Sequence, residues 1–187
     1  MQGYSLPFKP TDKVIELGGG DNPVFRPNVD VRPGPKVDIT ADLNERLPFD
    51  SDQFDGIFSQ FLLEHLRLPK LRGFLSEVYR ILKPNGLAVI ICANLLEQAR
   101  VLIEREEWND DVIYMVFGGN PDYLENYHHL GLSPAYAVKL LAEAGFGEVA
   151  IYEHPLAKQI WGHSTDMIIH AKKVKPQETG VRIARSL

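Results

Sequence analysis

Val14 to Pro23, VIELGGGDNP, is an apolar run that stops on an acid and then on three consecutive glycines. It constrains this chain more than any other stretch. The run has the length of a buried strand, and Gly18, Gly19 and Gly20 remove every Cβ from the turn behind it, so backbone there can approach a ligand closely. Where a parallel sheet delivers such a turn at the carboxyl ends of its strands, the ligand lies in the crevice outside them. The spacing is not the GxGxxG dinucleotide fingerprint, and the lysine of a phosphate-binding P-loop is missing.

The rest of the chain supplies the sheet. Lys13 to Leu17 reads as the first strand, and Asn28 to Val31 and Val37 to Ile39 as two short ones. Too few residues, Pro23 and Pro27 among them, separate the glycine turn from Asn28 for a full crossover helix. Phe54 to Ser59 reads as a fourth strand, closed by Ser59 and Gln60. From Leu68 to Leu82 apolar residues recur at helical spacing, and Lys83-Pro84-Asn85-Gly86 turns the chain into a fifth strand, Leu87 to Cys92. A helix over Leu95 to Glu106 follows. Ser133 and Pro134 open the helix Ala135 to Ala144, which Gly145 closes, and Glu148 to Tyr152 and Met167 to Lys172 are the last strands. Strands alternating with helices imply a parallel sheet. Residues 95–132 are expected to form a cap over its carboxyl edge, with Trp108, Tyr114, Phe117, Tyr123 and Tyr127 as an aromatic lining. Residues 1–174 read as one domain, and 175–187 as a polar, flexible tail.

Composition narrows the function. At 187 residues, 44% hydrophobic and 24% charged, the chain has room for one substantial core but not for two domains. A net charge of −5 leaves no basic footprint for nucleic acid, and no run has the length of a membrane span. The N-terminus lacks the apolar core of a signal peptide, so the expected location is cytoplasmic. Cys92, a single cysteine inside LAVIICAN, reads as a buried apolar side chain. His128 and His129 are adjacent without a third ligand at suitable spacing, so no metal site is expected.

Taken in order, VIELGGGDNP, VDVR, ADL, LPFDSDQFDGIFSQFLLEHL and FLSEVYRILKPNGLAVII resemble the class I S-adenosylmethionine-dependent methyltransferases. The likeness runs from about Lys13 to Cys92. It implies an α/β, Rossmann-like, doubly wound sheet of seven mostly parallel strands with an antiparallel last strand, which accommodates EVAIY and MIIHAKK at the C-terminus. Asn22 stands where the family's third glycine would be.

The resemblance also assigns roles. Glu16 and the backbone of Gly18, Gly19 and Gly20 would hold the methionine part of S-adenosylmethionine, with Glu16 orienting the loop or bonding the ammonium group. Asp30, with Val31 beside it, would accept from the ribose hydroxyls. Asp42 would accept from the adenine amine next to the Leu43 backbone, unless it caps the turn from Asn44 to Leu47 instead. Gln60 would stand where methyl group and acceptor meet. Glu64, His65 and His129 are the candidate general bases, and the expected acceptor is an oxygen or nitrogen on a small molecule. A catalytically inactive cofactor-binding module or partner subunit is one rival; a nicotinamide oxidoreductase, disfavoured by the glycine spacing, is the other.

Overall fold

The computed structural model describes residues 5–105, 109–120 and 123–174. Its frame is a seven-stranded sheet. In chain order the strands are β1 (Val14–Leu17), β2 (Asn28–Asp30), β3 (Ile39–Thr40), β4 (Phe54–Gln60), β5 (Leu82–Ala93), β8 (Glu148–Glu153) and β9 (Asp166–Lys172). They lie side by side as β3-β2-β1-β4-β5-β9-β8. Neighbours pair in parallel except that β9 runs antiparallel to both β5 and β8. The expected reversed last strand is therefore present.

Helices α1 (Leu68–Ile81) and α4 (Pro134–Glu143) cover one face. Leu71, Phe74, Leu75, Val78 and Ile81 recur on one side of α1 and are buried, and Ala137, Leu140 and Leu141 do the same for α4. They join Ile15, Ile57, Ile90 and Ile169 in the main core. On the opposite face Val14, Phe58, Val89, Ile91 and Ile168 are covered by Leu6, Phe8 and Phe25; among the described residues this second cluster draws on no helix. The residues before Pro10, which carry no periodic pattern, thus contribute packing that a crossover helix would otherwise supply.

Polar side chains stand in for the missing helices between the first strands. Glu16 on β1 and Asn28 on β2 are register partners and are both buried. The Glu16 carboxylate accepts from the N–H groups of Val24 and Phe25 at 2.5 and 2.7 Å. Asn28 donates to the carbonyls of Gly20 and Lys36 and accepts from the Gly19 N–H. One pair of side chains thus ties down the loop that joins their strands. Farther on, Glu77 and Arg80 of α1 bond the backbone of Leu47 and Phe49, so these two residues are half-buried fasteners.

The chain leaves β5 at Asn94 and returns at Leu132, and these two residues form an isolated parallel bridge. Between them lie α2 (Leu95–Arg105), α3 (Asp110–Phe117) and a hairpin of β6 (Gly118–Asn120) and β7 (Tyr123–Tyr127). The segment expected as a cap is therefore built of short regular pieces, of which only the helix α2 was expected. A further short helix, α5 (Pro155–Trp161), occupies the connection before β9, with His154 as its cap. Trp108 and 175–187 lie outside the described residues. No helix among the described residues is long and apolar enough to cross a membrane.

Candidate active site

Two cavities open at the carboxyl edge of the parallel strands. The first, of about 790 Å³, is walled by the glycine turn, by Asp30 and Val31 at the end of β2, by Asp42 and Leu43 beyond β3, and by His65 and His129. The second, of about 730 Å³, lies under the insertion and is walled by Glu64, His65, Tyr114, His128 and Asp166 among others. Phe61, His65 and Asn126 belong to both.

The first cavity has the features of a nucleoside cradle. Gly18 and Gly20 have φ of 80° and 51°, a region that side chains other than glycine's seldom adopt. A Cβ built on Gly18 would press on Leu62 at 3.0 Å, and one on Gly19 would overlap Asn28 and Glu16 from behind. Asp30 accepts from the Gly20 N–H through one oxygen and from the Arg32 N–H through the other, each at 3.0 Å. Both oxygens keep a lone pair for a ligand hydroxyl. Asp42 lines the cavity, and its Oδ1 accepts from the N–H and the side-chain amide of Asn44, the capping role that the sequence posed as the alternative to an adenine contact.

Three of the expected residues stand outside the first cavity. Glu16 lies behind the turn with its oxygens on Val24 and Phe25, so it takes the loop-orienting one of its two expected roles and lines neither cavity. Burial raises its pKa, and the two N–H groups pull it back down. Gln60, at the end of β4, lines neither cavity either. Its neighbour Phe61 takes that place instead, 39% exposed at the junction of the two cavities with φ of 50°. A bulky residue is held there only at a cost of about 1–3 kcal/mol, a pattern that clusters at functional sites. Periodicity gives no sign of it. Glu64 faces the second cavity only.

The single turn of 3-10 helix Leu63–His65, directly after β4, carries the chemistry of that second cavity. Glu64 is 3% exposed and its Oε2 has no hydrogen-bond partner. Burial pushes its pKa up to about 7; its own N–H and that of Ala93 oppose this, while the charge of Asp166 adds to it. Burial also raises Asp166 to about 6. The His65 Nδ1 sits 3.3 Å from the Tyr127 carbonyl and the His128 Nδ1 3.0 Å from that of Val116. A carbonyl only accepts, so each Nδ1 carries the proton and each Nε2 is left with a lone pair. Burial, with the neighbouring His128, drives His65 down to about 4, and burial lowers His128 as well. The His129 N–H bonds the Glu64 carbonyl at 2.8 Å, which fixes the end of the hairpin to the turn. Of the expected aromatic lining, Tyr114 walls the second cavity, whereas Phe117 is half exposed and Tyr127 contributes its carbonyl.

Residues 26–90 match the family model described as a methyltransferase domain. Over those residues the chain is similar to methyltransferase domains, and the first cavity is the one whose residues fit S-adenosylmethionine. Solved structures share the fold. A methyltransferase from Methanosarcina mazei is 16% identical with a TM-score of 0.59, over 89% of this chain and 94% of that one. One from Archaeoglobus fulgidus is 19% identical with a TM-score of 0.59, over 86% and 85%. A phosphoethanolamine N-methyltransferase from Haemonchus contortus, in complex with S-adenosylmethionine, is 13% identical with a TM-score of 0.61, over 90% of this chain and 50% of that one. No curated protein matches the chain.

Proposed function

We propose that this chain is an S-adenosylmethionine-dependent methyltransferase that acts on an oxygen or nitrogen of a small molecule held in the second cavity. The observation that carries this reading is the junction: a cavity of about 730 Å³ abuts the cofactor cavity and shares Phe61, His65 and Asn126 with it. That volume suits a small ligand, and the net charge of −5 disfavours a polyanion.

Asp30 would take the ribose hydroxyls and Asp42 the adenine amine beside Leu43, while the glycine turn, whose N–H groups are held by Val29, Asn28 and Asp30, would give the methionine end room by its lack of side chains. Bound S-adenosylmethionine supplies a methyl group on a sulfonium. The acceptor's lone pair forms the new bond to the methyl carbon as the carbon–sulfur bond breaks toward sulfur. Holding the two reactants in line can supply about 7–11 kcal/mol of the barrier. His129, in the wall of the cofactor cavity, would take the acceptor's proton, a contribution on the order of 100 to 10,000-fold. His65, driven down to about 4, remains neutral and is a poorer base. Residues 95–132 would form the cap that keeps water from the reaction.

Calorimetry with S-adenosylmethionine and its demethylated product should give one site each. At one hundred times the dissociation constant either ligand adds about 2.7 kcal/mol and raises the melting temperature by roughly 5–11 °C. Turnover on a panel of hydroxyl and amine acceptors, run beside RNA, DNA and peptide acceptors, tests the rest. Methylation confined to the macromolecules would refute the small-molecule reading. Cofactor binding with no turnover on any acceptor would favour the rival in which the chain is a binding subunit.

A further inference from the structure

Two of the residues expected to act on the acceptor, Glu64 and His65, do not stand singly. Glu64, His65 and His128 each offer a donor atom within 4.8 Å of the other two. The two imidazole rings meet edge to face with centroids 5.0 Å apart. We propose that these three side chains form a binding site for one divalent transition-metal ion of zinc-like ligand preference.

Four observations carry the assignment. The donor set is two imidazoles and one carboxylate, which suits zinc, iron and cobalt rather than magnesium or calcium. Each histidine has its Nδ1 committed to a backbone carbonyl, the outer-shell arrangement that fixes a metal-ligating ring and leaves Nε2 to the ion. The Glu64 Oε2 is buried without a partner. Leaving such an oxygen unpaired in the interior is unfavourable, and more so when it is charged, unless a ligand takes it. The described residues hold two other buried unpartnered side-chain atoms, Ser59 Oγ and Asn94 Oδ1, and both are neutral. Finally, glycine at 118 leaves the His128 ring open, since a Cβ there would stand 3.0 Å from Nε2.

Three protein ligands are the complement of a catalytic metal site, in which the remaining position is left to water or substrate. Zinc bonds of about 2.0–2.2 Å require the three donor atoms to close to roughly 3.3 Å of one another. Asp166, in the same wall, adds negative charge. Directing the open position toward an acceptor oxygen rests on the functional reading above; the metal site itself does not.

The test uses the whole chain, stripped with a chelator and free of cofactor, so that it can fail independently of methyl transfer. Zinc should bind with one-to-one stoichiometry by calorimetry, and magnesium at the same concentration should not compete. Cobalt should give visible d–d absorption and broaden the imidazole proton signals of His65 and His128 by paramagnetic relaxation. His128→Ala and His65→Ala should each weaken zinc by at least ~10–100-fold. His163→Ala should leave it unchanged, because His163 sits apart between Glu97 and Glu104. Absence of stoichiometric zinc binding in the stripped wild type, or broadening confined to other histidines, would overturn the proposal. Both readouts come from the wild type, so a variant that fails to fold does not decide it. The proposal departs from the expectation of no metal, which rested on the His128–His129 adjacency. Only His128 of that pair joins the cluster, and its partners come from a turn more than sixty residues away in sequence.

Discussion

The two cavities treat buried polar groups in opposite ways. Behind the first, Glu16 and Asn28 are as buried as core residues, and the structure spends their hydrogen bonds on the loop between β1 and β2. Beside the second, Glu64 is equally buried and its Oε2 has none. A satisfied buried group shapes the scaffold, whereas an unsatisfied ionisable one is kept for something that binds. On the function proposed above, the difference separates the residues that shape the cofactor cavity from those that serve the acceptor.

The largest effect that would break this contrast is expected from Asn28→Ala. It strips partners from the Gly19 N–H and from the carbonyls of Gly20 and Lys36. Removing a buried group that satisfies others costs about 1–3 kcal/mol for each one left unpaired, less if water enters, so we expect a loss of about 2–4 kcal/mol by denaturant unfolding. Cofactor affinity should fall with it. A variant as stable as the wild type would show that the loop needs no such fastening.

Next in size is a crossed pair. Asp30→Ala should weaken cofactor by roughly 10 to 100-fold, since each charge-assisted bond is worth at most about 1.5–3 kcal/mol and water recovers part of it. Glu64→Gln should leave cofactor affinity within about twofold and abolish tight zinc binding, because removing one of three ligands costs more than the outer-shell losses of about 10–100-fold. Equal effects of both substitutions on both ligands, by calorimetry, would merge the two cavities into one functional unit.

The smallest effect concerns His163, which ties α2 to the segment before β9 through Glu97 and Glu104 at 3.1 and 2.7 Å. The bond to Glu104 raises its pKa above the ordinary 6.5, with Glu97 adding to it and burial opposing. The folded state thus favours the imidazolium. Its contribution is complete below the ordinary value and is lost as pH rises through the raised one. The melting-temperature gap between wild type and His163→Ala should therefore be wider near pH 6 than near pH 9. A gap that widens with pH would assign the contact to neutral hydrogen bonds.

Much of this was legible in the residues themselves. The succession of strands along the chain up to Cys92, the glycine turn, the absence of a first crossover helix and the Ser133 cap depend on local properties: apolar period, ring and Cβ sterics, and a hydroxyl placed for an exposed N–H. What lay beyond it was direction. Glu16 turns behind the loop because register pairs it with Asn28, and Phe61 displaces Gln60 because a left-handed φ at the end of β4 re-aims the chain. The meeting of Glu64 and His65 with His128 has no local signal at all. It follows from the bridge between Asn94 and Leu132 and from the bond of the His129 N–H to the Glu64 carbonyl, which bring the end of the insertion back onto the turn after β4. Sequence sets which groups can ionise or ligate; only closure of the chain on itself decides which of them share a cavity and which are left unpaired within it.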